Sequence, residues 1–175
     1  MSDQHIRPAA PGDISAITAI YTPAVLHGTA TFELEPPTEA EMLRRFTEIT
    51  AAGYPYLVAE RGGKVVGYAY VSAYRTRPAY RFAVEDSIYV AADQQGQGIG
   101  RSLLSALIEA CEARGYRQMI AVIGDSMQIG SIAVHRSAGF TFCGTLHAVG
   151  YKFGRWIDSV NMQRAVGEGD RTPIS

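Results

Sequence analysis

Two cysteines, Cys111 and Cys143, are too few for a disulfide framework, so nothing in the chain asks for an oxidising compartment. A surplus of charge of either sign is also missing. Sixteen lysines and arginines face 17 acidic residues, a net charge of −1, which leaves no strong field to hold nucleic acid. No apolar run is long enough to span a bilayer, and the N-terminus lacks the apolar stretch of a signal peptide. The expectation is a soluble cytoplasmic protein with neither membrane nor nucleic acid as partner. Charged residues are 19% and hydrophobic residues 47% of the chain, which excludes a disordered polypeptide and fits one globular domain with a sizeable core. Cys111 shares a helical stripe with Leu103, Leu104, Leu107 and Ile108, and reads as a small core residue rather than a reactive thiol.

The pattern along the chain alternates helices and strands. Residues 5–9 read as a first strand. Asp13 is an N-cap candidate for a helix carrying Ile14, Ile17 and Ile20, and Pro23 should interrupt it, with Thr22 capping a second short helix through Leu26. Residues 28–37 form a connection with room for a short strand around Phe32. Thr38 and Glu41 make a capping box for a helix to about Ala52, whose apolar face is Met42, Leu43, Phe46 and Ile49. "RGG" at 61–63 between two apolar runs reads as a β-hairpin, and "RFAVEDSIYV" at 81–90 as another strand. A glycine-rich loop, a helix to about Arg114, an apolar strand "QMIAVI", a helix near "SIAVHRSAG" and two last strands follow. The order predicts an α/β fold of the mixed α+β kind: one mixed sheet covered by helices. Residues 1–166 form a single domain in this reading, and 167–175 a loose tail.

The loop "QGQGIGR", Gln95 to Arg101, gathers glycine just before a helix. Gly96, Gly98 and Gly100 permit torsions that side chains forbid and let a ligand approach the main chain. The helix that follows leaves its first amide N–H groups unpaired at the positive end of its dipole, which suits a pyrophosphate-like anion. A plain strand-to-helix turn explains the same pattern. The spacing G-x-G-x-G is not the dinucleotide fingerprint, and without lysine the loop is not a Walker motif.

Glu85 sits inside the otherwise apolar strand 82–90. Alternation sends Ala83, Glu85, Ser87 and Tyr89 to one face, and Val84, Asp86, Ile88 and Val90 to the other. Partial burial would raise the pKa of Glu85 toward neutrality, which suits a general base. A surface carboxylate, or one bound to Arg75, Arg77 or Arg81, is the plainer reading. Asp86 faces the other way and reads as structural.

The pattern Gln95-x-x-Gly98-x-Gly100 resembles the acetyl-coenzyme A signature of the GNAT acetyltransferase superfamily, and the order of elements is similar too. Segments such as "AYRTRPAYRFAVEDSIYV" and "VGYKFGRWIDSVNMQ" extend the resemblance, from about Ile6 to Arg164, to the phosphinothricin and methionine sulfoximine N-acetyltransferases. The resemblance implies acetyl-CoA as cosubstrate, no metal, a homodimer, and acetylation of the α-amine of a small amino acid. It implies that the amides of Gly96, Gln97, Gly98, Ile99, Gly100 and Arg101, with Gln95, cradle the pyrophosphate. It places the pantetheine arm along Ile88, Tyr89 and Val90, near Gln128 and His135. Around the acceptor it places Phe32, Arg75, Thr76, Arg77 and Tyr80, then Glu85, Asp86, Ser87 and Tyr89, and the strand edge from Val122 to Gly124.

Two positions depart from the family pattern. Gln128 replaces an asparagine, which puts one pantetheine hydrogen bond in question; Phe153 stands where the herbicide-resistance enzymes carry a histidine, and the "KFGRW" form looks more like the methionine sulfoximine branch, which argues against a strict phosphinothricin preference but not against acetyl transfer. The mechanism implied is direct transfer. Glu85 takes the amine proton, a backbone N–H near Val90 meets the oxyanion, and the thiolate takes a proton from His135, a tyrosine or water. A protein N-terminus or another amine, such as a polyamine, as acceptor, or a non-catalytic acetyl-CoA sensor, are the alternatives.

Overall fold

The computed structural model describes residues 4–174. Seven strands form one sheet: β1 (Gln4–Pro8), β2 (Tyr56–Arg61), β3 (Lys64–Ala73), β4 (Ala83–Val90), β5 (Gln118–Gly124), β6 (Thr141–Lys152) and β7 (Arg155–Ala165), in the order β1-β2-β3-β4-β5-β7-β6. The β4–β5 pair is parallel and each other neighbouring pair antiparallel. Four helices, α1 (Ile14–His27), α2 (Glu39–Ala51), α3 (Ile99–Glu112) and α4 (Ile129–Ser137), complete the expected mixed architecture.

Strand alternation divides the core in two. Tyr56, Val58 and Tyr68 face α1 and α2, where they meet Ile14, Ile17, Tyr21, Val25, Met42 and Phe46. Leu57, Ala59, Ala69, Val71 and Val84 face α3, which buries Ile99, Leu103, Leu104, Leu107, Ile108 and Cys111. The thiol of Cys111 is a core group, and burial pushes its pKa up to about 12. The hairpin between β2 and β3 turns on Gly62 and Gly63, both at positive φ (56° and 74°), as a two-residue connection demands.

Several local expectations are corrected. Pro23 does not interrupt α1, which runs unbroken to His27 with the proline inside. The buried stripe Ile14, Ile17, Tyr21 and Val25 spans the proline, and its packing outweighs a break that costs about 3 kcal/mol. Thr22 caps nothing; its hydroxyl donates to the Thr18 carbonyl. No strand forms around Phe32. Half of the capping box forms: the Thr38 hydroxyl accepts from the Glu41 amide at 3.2 Å, while the Glu41 carboxylate turns to Arg44 and Arg45.

The segment after β7 is not loose in its first part. Val166 is fully buried, and the Arg117 guanidinium donates to the Gly169 carbonyl and the Thr172 hydroxyl, each at 3.0 Å.

Leu104 lies at the centre of the larger core half. Its replacement by alanine should cost about 2–5 kcal/mol in urea or guanidinium unfolding, with the loss set by how far the cavity collapses.

Candidate functional site

The site begins where two strands part. β4 pairs with β5 only from Ala83 to Asp86, opposite Gln118 to Ala121, although β4 continues to Val90 and β5 to Gly124. Beyond that point the main chain of residues 87–90 has no strand partner on its β5 side, while β3 still pairs with it on the other. Backbone polar groups at such a fork call for a partner, and a ligand that is itself an extended amide chain can supply one. A cavity of about 60 Å³ occupies the fork. Asp86, Ser87, Ile88, Tyr89, Val122, Gly124 and His135 line it, so seven residues expected to meet acceptor or coenzyme come together here.

Glu85 stands just before the fork, half-buried, in register with Ser72 of β3 and Ile120 of β5. Burial raises its pKa, the neighbouring Asp86 charge raises it further, and Arg75 opposes both. That setting raises the proton affinity of the carboxylate above the ordinary, as a general base requires. Asp86 does not join it. Its side chain is buried on the opposite face and binds His135, while the residue still lines the fork; alternation separates it from Glu85.

The connection from β3 to β4 carries Arg75, Thr76, Arg77 and Tyr80, all exposed. The Arg75 guanidinium lies over the Tyr74 ring at 4.8 Å, and Tyr80 meets the same ring edge-on. Among the described residues neither Arg75 nor Arg77 makes an ion pair, which leaves both able to receive an anion.

Phe32 lies on the connection between α1 and α2. Its ring packs on the backbone of Gly150, where a Cβ would collide with it. The buried ammonium of Lys152 donates to the Thr31 carbonyl at 3.0 Å, and burial lowers its pKa. Tyr21 donates to Glu33, and Arg45 binds the same carboxylate at 2.6 Å.

A hub that the pattern did not reveal secures the other end of this connection. Asp125, at φ 70° and buried, accepts from the Thr29 hydroxyl at 2.8 Å, from Arg155 at 2.6 Å and from the Met127 amide at 3.1 Å. Gly124 lets the Thr29 carbonyl approach; a Cβ there would stand 2.5 Å from it. The sole hint in the sequence is Gly-Asp-Ser after an apolar strand, a turn signal that names no partner. Gln128, expected near the pantetheine arm, donates to the Thr29 hydroxyl at 3.3 Å and so joins this hub.

The glycine loop is partly as expected. Gly96 and Gly98 have φ of 74° and 81°, and Gly98 caps α3 in the left-handed conformation. Gly100 is corrected: it lies inside α3 without positive φ, and a Cβ there would meet only Val90 at 3.8 Å. Its smallness serves nothing within the chain and leaves the first turn of α3 open to a ligand. Arg101 is exposed on that turn. The side chains of Ile99 and Gln97 are committed elsewhere, Ile99 to the core and Gln97 to Arg61, so only their amides face the loop's opening. Gln95 donates to the Val90 carbonyl at 3.3 Å, tying the loop to the end of β4.

Among the described residues no cluster of metal-binding side chains occurs, and no helix is long and apolar enough to cross a membrane.

The family described as acetyltransferase (GNAT) domain matches residues 6–161. The chain is 54% identical over 160 residues to phosphinothricin N-acetyltransferase of Alcaligenes faecalis, covering 91% of this chain and 81% of that one. It is 40% identical over 163 residues to L-methionine sulfoximine/L-methionine sulfone acetyltransferase of Salmonella typhimurium, covering 93% and 95%. A GNAT superfamily phosphinothricin acetyltransferase from Sinorhizobium meliloti, solved in complex with AcCoA, superposes with a TM-score of 0.95 at 52% identity, over 98% of this chain and 93% of that one.

The raised pKa of Glu85 has a consequence for stability. A carboxylate that burial disfavours penalises the fold once ionised, above the ordinary carboxylate range, and costs nothing below it. Glu85→Gln should therefore raise the thermal midpoint near neutral pH, with a gain that fades as pH falls toward that range. Scanning fluorimetry across pH measures this, and a lower midpoint at every pH would contradict it.

Proposed function

The chain belongs to the GNAT acetyltransferase family, and on that premise we propose that it transfers acetyl from acetyl-CoA to the α-amine of a small anionic amino acid. The acceptor class is that of methionine sulfoximine, methionine sulfone and phosphinothricin, which the names of its relatives carry. One observation supports this above the rest. A single strand, β4, carries a half-buried carboxylate at Glu85, an unpaired edge from Ser87 to Val90, and a glycine loop opening onto a helix N-terminus at its end. From Glu85 to Val90 the strand rises about 17 Å, at about 3.3 Å per residue, enough for a pantetheine arm between base and pyrophosphate loop.

In the proposed reaction the acceptor's ammonium loses its proton to Glu85, directly or through one water. The amine nitrogen bonds to the thioester carbon, the C–S bond breaks with its electron pair going to sulfur, the nitrogen sheds its second proton, and the sulfur takes one up. Holding both reactants in one cleft removes much of the entropic barrier. Arg75 and Arg77, with no ion-pair partner among the described residues, suit the acceptor's carboxylate or its tetrahedral head, since planar guanidinium donors bind two oxygens at once. Phe153 favours the sulfoximine over phosphinothricin. It occupies a hairpin turn at φ 52°, with the Lys152 ammonium 5.0 Å over its ring, and offers no polar group to a phosphinate.

We further propose a homodimer. The last hairpin exposes Phe142, Leu146, Val149 and Tyr151 on the edge strand β6, with Trp156 beside them on β7, an apolar surface of the kind that a second copy covers. Analytical ultracentrifugation should give a two-chain mass, and Leu146→Glu should shift it to one chain.

The activity is tested by acetyl-CoA consumption over methionine sulfoximine, methionine sulfone, phosphinothricin, ordinary amino acids and short peptides. Turnover should be highest with the sulfoximine or sulfone. Preference for a peptide N-terminus would replace the amino-acid reading, and CoA release that no amine accelerates would point to a sensor. Glu85→Gln should keep coenzyme binding and lose about 10²–10⁴-fold in kcat. The acid limb of kcat/KM in the parent protein should lie above the ordinary carboxylate range, because the base works only when ionised.

A further inference from the structure

A second cavity, of about 200 Å³, lies under α1 and α2 on the sheet face that Glu85 shares. Tyr21 of α1, Arg45 of α2, Tyr56 of β2, and Tyr68, Tyr70 and Ser72 of β3 line it. It is larger than the cavity of the fork and has no lining residue in common with it. The strand register brings the two together all the same. Ser72 stands across the β3–β4 pair from Glu85, Tyr70 from Ser87 and Tyr68 from Tyr89. Partners of that kind have Cα atoms about 5 Å apart. The Ser87 hydroxyl and the charges of Glu85, Glu33 and Arg45 all act on the Tyr70 hydroxyl, so the cavity begins beside the candidate base.

Four tyrosines in one lining bring four hydroxyls that need partners. The Tyr21 hydroxyl meets that of Thr31 at 2.7 Å and donates to Glu33 at 2.9 Å. The Tyr70 hydroxyl lies beside Ser87. Those of Tyr56 and Tyr68 have no hydrogen-bond partner among the described residues, although the two residues are only 5% and 1% exposed. They are not sealed inside protein either. The unpartnered atoms that are so sealed, among the described residues, belong to Arg61, Asp86 and Arg164. Both hydroxyls therefore open into the cavity. The rings of Tyr56, Tyr68 and Tyr70 stand at 6° to 15° to one another, so their hydroxyls leave the sheet side by side. Burial pushes the pKa of Tyr56 and Tyr68 up, so each keeps its hydrogen and can donate.

The charges around the cavity select its occupant. Arg45 is the one cation in the lining, and Glu33 at 2.6 Å and Glu41 at 2.8 Å already hold it. Glu48, the one carboxylate in the lining, is exposed and bound by Arg44. Met42 and Ile49 supply the apolar remainder. An anionic head would give up its water for a guanidinium that two carboxylates have neutralised, and a cationic head would face that guanidinium. A neutral head with strong hydrogen-bond acceptors, on an apolar chain, meets neither objection.

We infer that this cavity is the subsite for the acceptor's side chain, and that the Tyr56 and Tyr68 hydroxyls hold a neutral tetrahedral sulfur head, sulfone or sulfoximine, in preference to a charged phosphinate. The inference rests on the acetyl-transfer reading above for the identity of the acceptor. Tyr56 pairs with Tyr70, two residues along β3 from Ser72, a rise of about 7 Å at about 3.3 Å per residue. A head on a short chain spans that rise while its amine stays beside Glu85. No bond forms or breaks in the cavity; it decides which acceptor is seated.

Tyr56→Phe and Tyr68→Phe each remove one hydroxyl and keep the ring. Titration calorimetry on the protein loaded with CoA, which carries no acetyl group, reads acceptor binding without turnover. The parent should bind methionine sulfone more tightly than phosphinothricin, and more tightly than methionine, which has the same chain without the oxygens. Each variant should weaken the sulfone about 3–10-fold, the scale of one neutral hydrogen bond, and methionine by less than about twofold. Neither hydroxyl has a partner in the protein, so the thermal midpoint of either variant should not fall. A purely structural hydroxyl would lower the midpoint and weaken both ligands alike. Ile49→Trp fills the cavity from α2 and should weaken the sulfone as well.

Parental sulfone affinity in both tyrosine variants, or an equal loss for sulfone and methionine, would overturn the inference, since the hydroxyls would then hold only water. Tighter binding of phosphinothricin, or no binding of the sulfone by the parent, would overturn it too. The function reading fails separately. If no amine is acetylated, that reading falls while the binding contrast still decides the cavity. If the sulfone is acetylated but the contrast is missing, the cavity inference falls and the function reading stands.

Discussion

The separation of β4 from β5 after the Asp86–Ala121 pair is the constraint on which the site depends. A parallel pair that stays joined would satisfy its own backbone and leave nothing for a ligand to bind. Here four residues of one strand and three of the other run on past the last shared register. The fork exposes main-chain donors and acceptors in a cavity walled by Tyr89 on one side and His135 on the other. It also separates two carboxylates by half a pleat. Glu85, facing α1 and α2, is a half-buried group with a raised pKa, and Asp86, facing α4, is consumed by a histidine. Two adjacent acids of the same chemistry acquire different tasks because a strand alternates.

Around the fork, connections are held by buried polar contacts rather than by secondary structure. The α1–α2 connection has no strand of its own, yet it is fastened at Thr29 by Asp125, at Thr31 by Lys152 and Tyr21, and at Glu33 by Arg45. Each is a group whose desolvation is offset only while its partner is in place, so the contacts are strongly directional. Phe32 is held by this fastening, with its ring set on Gly150. The exposed arginines of the β3–β4 connection have no such fastening, consistent with groups that await a partner from solution.

Much of this is legible in the residue pattern, and the limits have physical causes. Period and turn chemistry locate the seven strands, because apolar alternation and paired glycines at 62 and 63 act over a few residues. The glycine loop can be placed before a helix for the same reason. Pro23 defeats the pattern because the rule for proline is local, whereas the buried stripe Ile14 to Val25 belongs to the tertiary core. Gln128 binds Thr29, 99 residues away in sequence, a distance no local pattern reports.

By itself the sequence determined the class of the fold, the faces of most elements, the glycine loop ahead of a helix, and the carboxylate set into an apolar strand. These follow from steric and hydrophobic preferences that each residue carries wherever it goes. The tertiary structure alone decided that Asp86 would meet His135, that Asp125 would collect Thr29 and Arg155, and that β4 and β5 would part where they do. Those outcomes depend on which distant groups a buried charge finds once water is removed, and that pairing is created by the packing of the whole chain.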